Sequence, residues 1–223
     1  GQDVKGKLKT AGVDKVASIK VKEKDSKNKI AVLYAEGEIR DEDSSSPFSA
    51  DEQVISEEMA KKLRKLKDDD DVKAVVFRVN SPGGSAYISE QIWKEVEELK
   101  AKKPIVVSMG NYAASGGYYI SCAANKIVAE RTTLTGSIGV FGVVRNFTGT
   151  FDKVGVTTDI VKTNTFADLG DISRPMREDE KALIQRGVEH TYDLFLTRCA
   201  DGRGMTKAEI DSIGQGRVWT GEQ

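Results

Sequence analysis

The sequence predicts an α/β fold with a largely parallel sheet. Short apolar runs rich in β-branched residues recur along the chain, and apolar residues at helical spacing separate them. Glycine-rich turns follow two of the predicted strands. Strands that alternate with helices form right-handed βαβ crossovers, which pair the strands in parallel. The 223 residues suffice for one sizeable hydrophobic core.

The first predicted strand follows a long polar stretch. Residues 1–28 mix Lys, Asp, Gly and Ser with isolated apolar residues, so we expect a linker or a tail borrowed from something upstream, followed by one domain over residues 29–223. Ile30–Tyr34 has the apolar run of a buried strand. The acidic, Ser-rich stretch Asp41–Ser49 predicts a loop, and the apolar spacing over Ala50–Lys67 predicts a helix with a solvated basic face.

The middle of the chain repeats the order strand, turn and helix. Val72–Val79 predicts a β-branched strand, Asn80–Gly84 a turn, and Ser85–Lys100 an amphipathic helix. Pro104–Met109 predicts a second buried strand. The small residues of Gly110–Gly117 then lead into a short helix. These two units predict neighbouring parallel strands.

The last third of the chain is predicted less regularly. We predict a third strand over Lys126–Ala129 and a fourth over Val156–Lys162. The segment Thr132–Gly142 between them is glycine-rich. Glu178–Cys199 predicts a long amphipathic helix, and Lys207–Ile213 predicts a short one.

Composition excludes several classes of protein. The chain carries 34 Lys and Arg against 35 Asp and Glu, which gives no polybasic surface for nucleic acid. Its apolar runs are far shorter than the ~20 residues of a membrane-spanning helix. Two cysteines (Cys122 and Cys199) and one histidine (His190) leave no disulfide framework and no Cys- or His-based metal site. We therefore expect no metal or organic cofactor, and a His-dependent catalytic triad is disfavoured.

Ser115 lies where a predicted strand passes into a helix. A hydroxyl there is close to free backbone N–H groups and to the positive end of the helix dipole, which favour a developing negative charge. Gly116 and Gly117 leave room for a substrate backbone to approach. The same pattern also suits a serine that only caps a helix, so the residues alone leave both interpretations open.

The turn Asn80-Ser81-Pro82-Gly83-Gly84 is a second candidate element. Two glycines permit backbone conformations that direct consecutive N–H groups into a cleft, as an oxyanion hole requires. A single turn of this kind is weak evidence. Two such turns after adjacent strands meet at the carboxyl edge of the sheet, where α/β proteins bind ligands.

Three separated motifs together resemble one family. The segments Asn80–Gly84, Met109–Tyr119 and Thr133–Gly139 occur in the order found in the signal peptide peptidase A family, also called protease IV, and the resemblance runs from about Lys29 to the C-terminal Gly216–Gly221. It implies a fold of Clp protease/crotonase-like repeated ββα units. It also implies a chain truncated near its C-terminal end, because that last motif is incomplete.

The resemblance implies a serine peptidase with a lysine base. By motif, Ser115 is the nucleophile, Gly83 or Gly84 with Gly116 forms the oxyanion hole, and Ser137 hydrogen-bonds the base. Residues Tyr118, Ile138 and Val140 are expected to line an apolar groove that binds peptide substrates such as signal-peptide remnants.

The lysine expected from the family is missing. Ala167 occupies the position where short family members carry it, and Lys153 and Lys162 are off the motif. In long tandem members the C-terminal half supplies the serine and the N-terminal half supplies the lysine. This chain resembles such a C-terminal half, which implies that residues 1–28 are a linker or tail from a missing N-terminal half. We therefore expect the lysine to come from that N-terminal half or from a neighbouring subunit, and the isolated chain to be nearly inactive.

The family also implies a cellular setting, and two other functions stay open. The resemblance places the parent protein in the bacterial inner membrane, with its catalytic domain on the periplasmic side, and implies a homo-oligomer. One alternative is a crotonase-like acyl-CoA hydratase or isomerase, which needs an acidic residue and no nucleophile. The other is a non-catalytic assembly module whose glycines only permit close packing.

Overall fold

The computed structural model describes residues 26–41 and 53–223, and it contains a six-stranded sheet in the order β1-β4-β5-β7-β8, with β6 paired beside β5. All pairs are parallel except β7 with β8. The strands are β1 (Lys29–Glu36), β2 (Glu38–Ile39), β3 (Val54–Ile55), β4 (Val72–Ser81), β5 (Ile105–Ala114), β6 (Lys126–Val128), β7 (Leu134–Gly136) and β8 (Val218–Thr220). The prediction of a largely parallel α/β sheet is confirmed.

The helices of the described residues follow the predicted order. They are α1 (Glu58–Asp68), α2 (Ala86–Lys102), α3 (Gly116–Tyr119), α4 (Thr148–Lys153), α5 (Glu178–Arg203) and α6 (Lys207–Ile213). Helix α2 begins at a cap in which the Ser85 side chain accepts a hydrogen bond from the Ile88 N–H. Helix α5 ends at Gly204, which adopts the left-handed conformation.

The hydrophobic core lies between one face of the sheet and helices α1 and α2. Phe77 on β4 and Ile105 on β5 are fully buried, and so are Ile92 and Leu99 on α2. The apolar stripe of α2 packs there because residues three or four apart share one helix face. This core fixes the adjacent carboxyl ends of β4 and β5, from which the two glycine-rich turns emerge.

The predicted helix over 50–67 begins later than expected. Val54 and Ile55 form β3, which pairs in parallel with β2, and α1 starts at Glu58. Both residues also fit the helical spacing of the residues that follow, so periodicity alone did not separate them from the helix. Residues 50–52 and the part of the predicted loop from 42 to 49 lie outside the described residues.

The predicted strand Val156–Lys162 is wrong. The segment is irregular and exposed, with Val161 97% exposed, and it joins neither of the described sheets. A strand needs a neighbouring edge to satisfy its N–H and C=O groups. An apolar run could not reveal that no such edge lies beside these residues.

A buried ion cluster joins the loop after this segment to helix α5. The guanidinium of Arg174 donates to Asp168 Oδ2 at 2.8 Å and to Glu180 Oε1 at 2.6 Å, and Arg177 contacts both carboxylates. Burial opposes the charge of Asp168, but hydrogen bonds from Lys162 and Arg174 outweigh it and lower its pKa to about 2. The hydrogen bond from Arg174 outweighs burial at Glu180 and also lowers the pKa of that carboxyl to about 2.

These two carboxylates predict a loss of stability in acid. A carboxyl whose pKa is lower in the folded state stabilises the fold above its unfolded pKa, and this stabilisation disappears as the pH falls through the folded value. We therefore expect the free energy of unfolding, measured by urea titration, to fall between about pH 5 and pH 2. Arg174→Gln should remove much of this dependence. Arg131→Gln, which breaks an exposed pair with Glu222, is the control, and an equal pH dependence in wild type and Arg174→Gln would contradict the assignment.

Candidate active site

A cavity of about 740 Å³ opens at the carboxyl ends of β4, β5 and β7. The side chains and backbone that line it come from β2, from both glycine-rich turns, from helices α2, α3 and α5, and from the segments after β7 and α6. The lining residues are Glu38, Pro82, Gly83, Gly84, Ala86, Ser89, Ser115, Gly116, Tyr119, Ser137, Gly139, Val140, Phe141, Thr191, Phe195, Gln215 and Gly216. The parallel sheet therefore brings Gly83, Gly84, Ser115, Gly116, Ser137 and Val140 to one site.

The backbone of Ser115 is strained. Its φ of 52° and ψ of −121° lie in a region that residues with a side chain rarely adopt. The residue sits between the end of β5 and the start of α3, and its N–H donates to the Gly136 carbonyl at 3.0 Å. A sharp strand-to-helix turn of this kind exposes a serine hydroxyl above the sheet, as in the nucleophile elbow of α/β hydrolases.

Gly83 packs directly against the turn that carries Ser115. A Cβ atom on Gly83 would lie 2.6 Å from the Gly116 nitrogen and 2.8 Å from the Ser115 Cβ. Its φ of 103° is also unfavourable for any residue with a side chain. Only glycine fits here, and the absence of a side chain leaves the Gly116 N–H open to the cavity.

The backbone N–H groups of Gly84 and Gly116, which line the cavity, have no acceptor among the described residues. The Gly116 N–H belongs to the first turn of α3, where no intrahelical acceptor exists. The Gly84 N–H is likewise unpaired, whereas the neighbouring Gly83 N–H donates to Ser81 Oγ at 3.1 Å. Unpaired N–H groups beside a serine hydroxyl can stabilise an oxyanion. They favour Gly84 over Gly83 as the donor from the proline-containing turn.

Ser137 repeats the position and conformation of Ser115 on the next strand. Ala114 pairs with Gly136, so both serines directly follow residues that face each other in β5 and β7. The φ of Ser137 is 50°, and its N–H donates to the Arg217 carbonyl at 2.7 Å. The C-terminal segment that includes Arg217 thus holds Ser137 in place beside the predicted nucleophile.

Two of the three predicted groove residues lie elsewhere. Val140 lines the cavity, but Tyr118 and Ile138 do not. Ile138 is 4% exposed and belongs to the hydrophobic core, and Tyr118 packs against the same core, where burial raises the pKa of its hydroxyl. The helical turn after Ser115 directs the next tyrosine, Tyr119, to the cavity instead.

No lysine or histidine is among the described residues that line the cavity. Ala167, which is predicted to occupy the position of the family's lysine, is exposed and lies outside the lining. The nearby Lys162 amine pairs with Asp168 at 3.0 Å, and His190 is exposed on α5. The described residues therefore assemble a serine and hydrogen-bond donors without a basic side chain.

Sequence reasoning missed the cavity residues contributed by distant elements. Thr191 and Phe195 are four residues apart on α5, and Gln215 follows α6. Their helical spacing shows that Thr191 and Phe195 share a face, but not that this face meets Ser115. Tyr119 could have been considered from its place one helical turn after Ser115.

The two cysteines lie outside the lining of this cavity. Cys122 and Cys199 are both fully buried, and a hydrogen bond between them together with burial raises the pKa of Cys199. The described residues contain no group of three or more His, Cys, Asp or Glu side chains arranged to hold a metal ion. Across residues 26–41 and 53–223, every helix is too short or too polar to cross a membrane.

Comparison with known proteins first defines the class. The model of the Clp protease family matches residues 44–138, which carry both glycine-rich turns. Together with the parallel sheet, this match makes the chain a Clp-like α/β protein, as predicted. The superposition with the solved structure of a ClpP1 mutant from Listeria monocytogenes covers 84% of this chain and 80% of the mutant's own length, with a TM-score of 0.49 and 14% sequence identity.

A second match then gives the particular family. The model of peptidase family S49 matches residues 97–223, more than half of the sequence, and the chain belongs to this family. The predicted resemblance to signal peptide peptidase A is thereby confirmed.

Three relatives illustrate the similarity. Protease 4 of Haemophilus influenzae is 45% identical over 87% of this chain and 31% of its own length. The chloroplastic serine protease SPPA of Arabidopsis thaliana is 37% identical over 88% of this chain and 29% of its own length. The putative signal peptide peptidase SppA of Enterococcus faecium is 37% identical over 95% of this chain and 62% of its own length. The chain thus spans about a third of the first two relatives and less than two thirds of the third.

Proposed function

We propose that this chain supplies the nucleophile and the oxyanion hole of a serine peptidase. The observation that supports this most strongly is the strained Ser115 beside two unpaired N–H groups in one cavity. Three of the relatives to which the chain is similar are named as proteases or peptidases, which is consistent with this reaction.

In the proposed reaction the Ser115 hydroxyl attacks the carbonyl carbon of a peptide bond. The proton leaves Ser115 for a base, and the negative charge that forms on the carbonyl oxygen is stabilised by the N–H groups of Gly84 and Gly116. The base then returns the proton to the leaving amine, and water releases the acyl group from Ser115. In this proposal Ser137, which follows β7 as Ser115 follows β5, forms a hydrogen bond with the base.

We propose that the base is a lysine from outside these residues. The N-terminal half of the same protein or a neighbouring subunit would insert it at the Ser115 cavity. A free lysine has a pKa near ~10.4, and a catalytic one must be lowered to about 7–8. Enclosure between two packed domains removes water from the amine and lowers its pKa in this way. The absence of a lysine from the described lining supports this proposal.

An apolar surface of the sheet that residues 26–41 and 53–223 leave exposed supports association with a partner. Tyr34 pairs with Arg78 across β1 and β4, and Ser108 pairs with Val128 across β5 and β6, so these residues share one face. Tyr34 and Val128 on this face are exposed, as is Val32. A parallel sheet is normally covered on both faces, so we propose that the lysine-bearing half or a second copy packs near this surface in a homo-oligomer.

The proposed substrates are hydrophobic peptides, including remnants of signal peptides. The half-buried Val140 and the exposed Phe141 at the cavity give such peptides apolar contacts. We further propose that the whole protein is anchored in the bacterial inner membrane and holds this domain on the periplasmic side.

A crotonase-like reaction is less well supported. It needs a carboxylate near the oxyanion hole, and Glu38 is the only one among the described lining residues. The Glu38 side chain is exposed and lies 3.7 Å from the Arg40 guanidinium. In the described structure this carboxylate is therefore in contact with solvent and with Arg40, and it lacks the enclosed setting of a catalytic acid or base.

Labelling by an alkyl fluorophosphonate tests the split site. In the isolated chain we expect slow labelling of Ser115 whose rate increases steadily with hydroxide, because no base titrates at neutral pH. A protein that also contains the lysine-bearing half should react faster, with an apparent pKa of about 7–8. Absence of Ser115 labelling in that complete protein would contradict the peptidase. Rapid peptide hydrolysis by this chain alone, unchanged in Lys153→Ala and Lys162→Ala, would contradict the separate base.

A further inference from the structure

Two aromatic rings form a buried wall of the Ser115 cavity. Tyr119 on α3 and Phe195 on α5 both line the cavity, are 3% and 2% exposed, and have ring centroids 4.6 Å apart. The Tyr119 N–H donates to the Ser115 carbonyl at 2.9 Å, so this ring is one helical turn from the predicted nucleophile. We call Tyr119 and Phe195 the aromatic wall.

The wall is held by an ion pair that the proposed reaction does not use. The Tyr119 hydroxyl donates to Glu90 Oε2 at 2.5 Å, and the Arg198 guanidinium donates to both oxygens of the same carboxylate. Arg198 also stacks 3.9 Å from the Trp93 ring centroid. Helices α2, α3 and α5 are thus joined through Glu90, and charge-assisted hydrogen bonds of this kind fix geometry strongly.

The hydroxyl of Tyr119 serves this contact and is unsuited to catalysis. Burial and the hydrogen bond to Glu90 raise its pKa, so the hydroxyl stays protonated and remains a donor. The part of Tyr119 that is left for the cavity is its ring. Movement of the ring would change the shape of the cavity without changing the charge beside Ser115.

The aromatic wall provides the only large buried side chains among the described lining residues. The other buried positions of the lining are Gly83, Ser89 and Gly116, whose side chains are absent or small. Phe141 is large but 86% exposed. The position of the two rings therefore decides how much space a substrate side chain finds in the buried part of the cavity.

We propose that Glu90 and Arg198 hold Tyr119 against Phe195, and that this aromatic wall limits the substrate side chain beside the cleaved bond to small or branched aliphatic groups. The inference rests on the proposed function and adds a specificity to it. Glu90 and Arg198 act through Tyr119 and are positioning residues.

The test compares two peptidyl phosphonates that react with Ser115, one with a valine side chain next to the phosphorus and one with a phenylalanine side chain. An alkyl fluorophosphonate without a peptide reports the reactivity of Ser115 itself. All rates are measured on the full chain at pH 9, where hydroxide replaces the separate base. Phe195→Ala should raise the ratio of the phenylalanine to the valine labelling rate by about tenfold. Space for one more methylene group in an apolar pocket changes selectivity by roughly that factor or more.

Glu90→Gln and Tyr119→Phe test the positioning role. Both should shift the ratio in the same direction as Phe195→Ala, and in Glu90→Gln, which lies outside the cavity lining, the rate with the alkyl probe should change less than about twofold. Glu95→Gln is the matched control, because Glu95 is on the same helix but pairs with Arg64 and Lys67. The proposal is overturned if Phe195→Ala leaves the ratio unchanged, or if Glu95→Gln shifts it as much as Glu90→Gln.

Failure of the proposed function gives a different result. In that case the alkyl fluorophosphonate leaves wild-type Ser115 unlabelled at pH 9. The aromatic wall is then tested by NMR titration with the amides of the two peptides, and the ratio of their dissociation constants in the same variants decides the proposal by the same criteria.

Discussion

Replacement of Gly83 by Ala is expected to slow the acylation of Ser115 by about two to three orders of magnitude, the usual cost of losing one oxyanion donor. The new Cβ would lie 2.6 Å from the Gly116 nitrogen and 2.8 Å from the Ser115 Cβ. One of these groups must move, or the methyl group must cover the Gly116 N–H. The measurement is the rate of Ser115 labelling by an alkyl fluorophosphonate, followed by intact-protein mass spectrometry.

The same experiment needs a control for folding. The positive φ of Gly83 makes any side chain there cost about 1–3 kcal/mol, so thermal unfolding must show that the variant is folded at the labelling temperature. Gly142→Ala is the matched control, since a Cβ on Gly142 meets nothing within 4 Å. A labelling rate of folded Gly83→Ala within about threefold of wild type would contradict the role of this turn in the oxyanion hole.

Replacement of Ser115 should separate function from stability. Both Ser115→Ala and Ser115→Gly are expected to lose fluorophosphonate labelling entirely, because each lacks the hydroxyl that forms the covalent bond. Glycine adopts a φ of 52° without strain, whereas alanine keeps the strain of serine. After the greater freedom of glycine in the unfolded chain is subtracted, Ser115→Gly should be more stable than Ser115→Ala by about 0.5–2 kcal/mol.

Thermal unfolding measures this difference. For a chain of this length it corresponds to a midpoint about 1–8 °C higher for Ser115→Gly. Ser212 in α6 is outside the set of positive-φ residues and is the control, since there the glycine variant should be less stable than the alanine variant. Equal or reversed stability at Ser115 would show that the backbone there is unstrained. Labelling that persists in Ser115→Ala would place the nucleophile elsewhere.

Much of the fold was predictable because its strongest signals are local. The β-branched run of β4 and the apolar stripe of α2 are patterns within a single element that indicate which of its residues are buried. Both elements formed where predicted. The strand predicted over 156–162 failed because pairing depends on a neighbouring edge that no local pattern reports. The start of α1 was misplaced because Val54 and Ile55 fit a helical spacing and a short strand equally well.

The candidate site divides in the same way. The sequence by itself determined the two glycine-rich turns and the serine between β5 and α3, because strand-to-helix turns need particular residues at fixed places. The resemblance further predicts that Ala167 occupies the position of the family's lysine, and this stays a prediction. Its prediction that Tyr118 and Ile138 line the groove does not match the cavity, because one helical turn directs Tyr119 there instead.

Only the tertiary structure decided which distant groups surround Ser115. Phe195 and Gln215 reach the cavity through helix packing, and the Glu90–Arg198 pair meets Tyr119 across three helices. It also distinguished the unpaired Gly84 N–H from the Gly83 N–H that Ser81 occupies. The physical reason is that a turn's conformation is set by its own residues, whereas contacts between separate elements are set by how their buried faces pack.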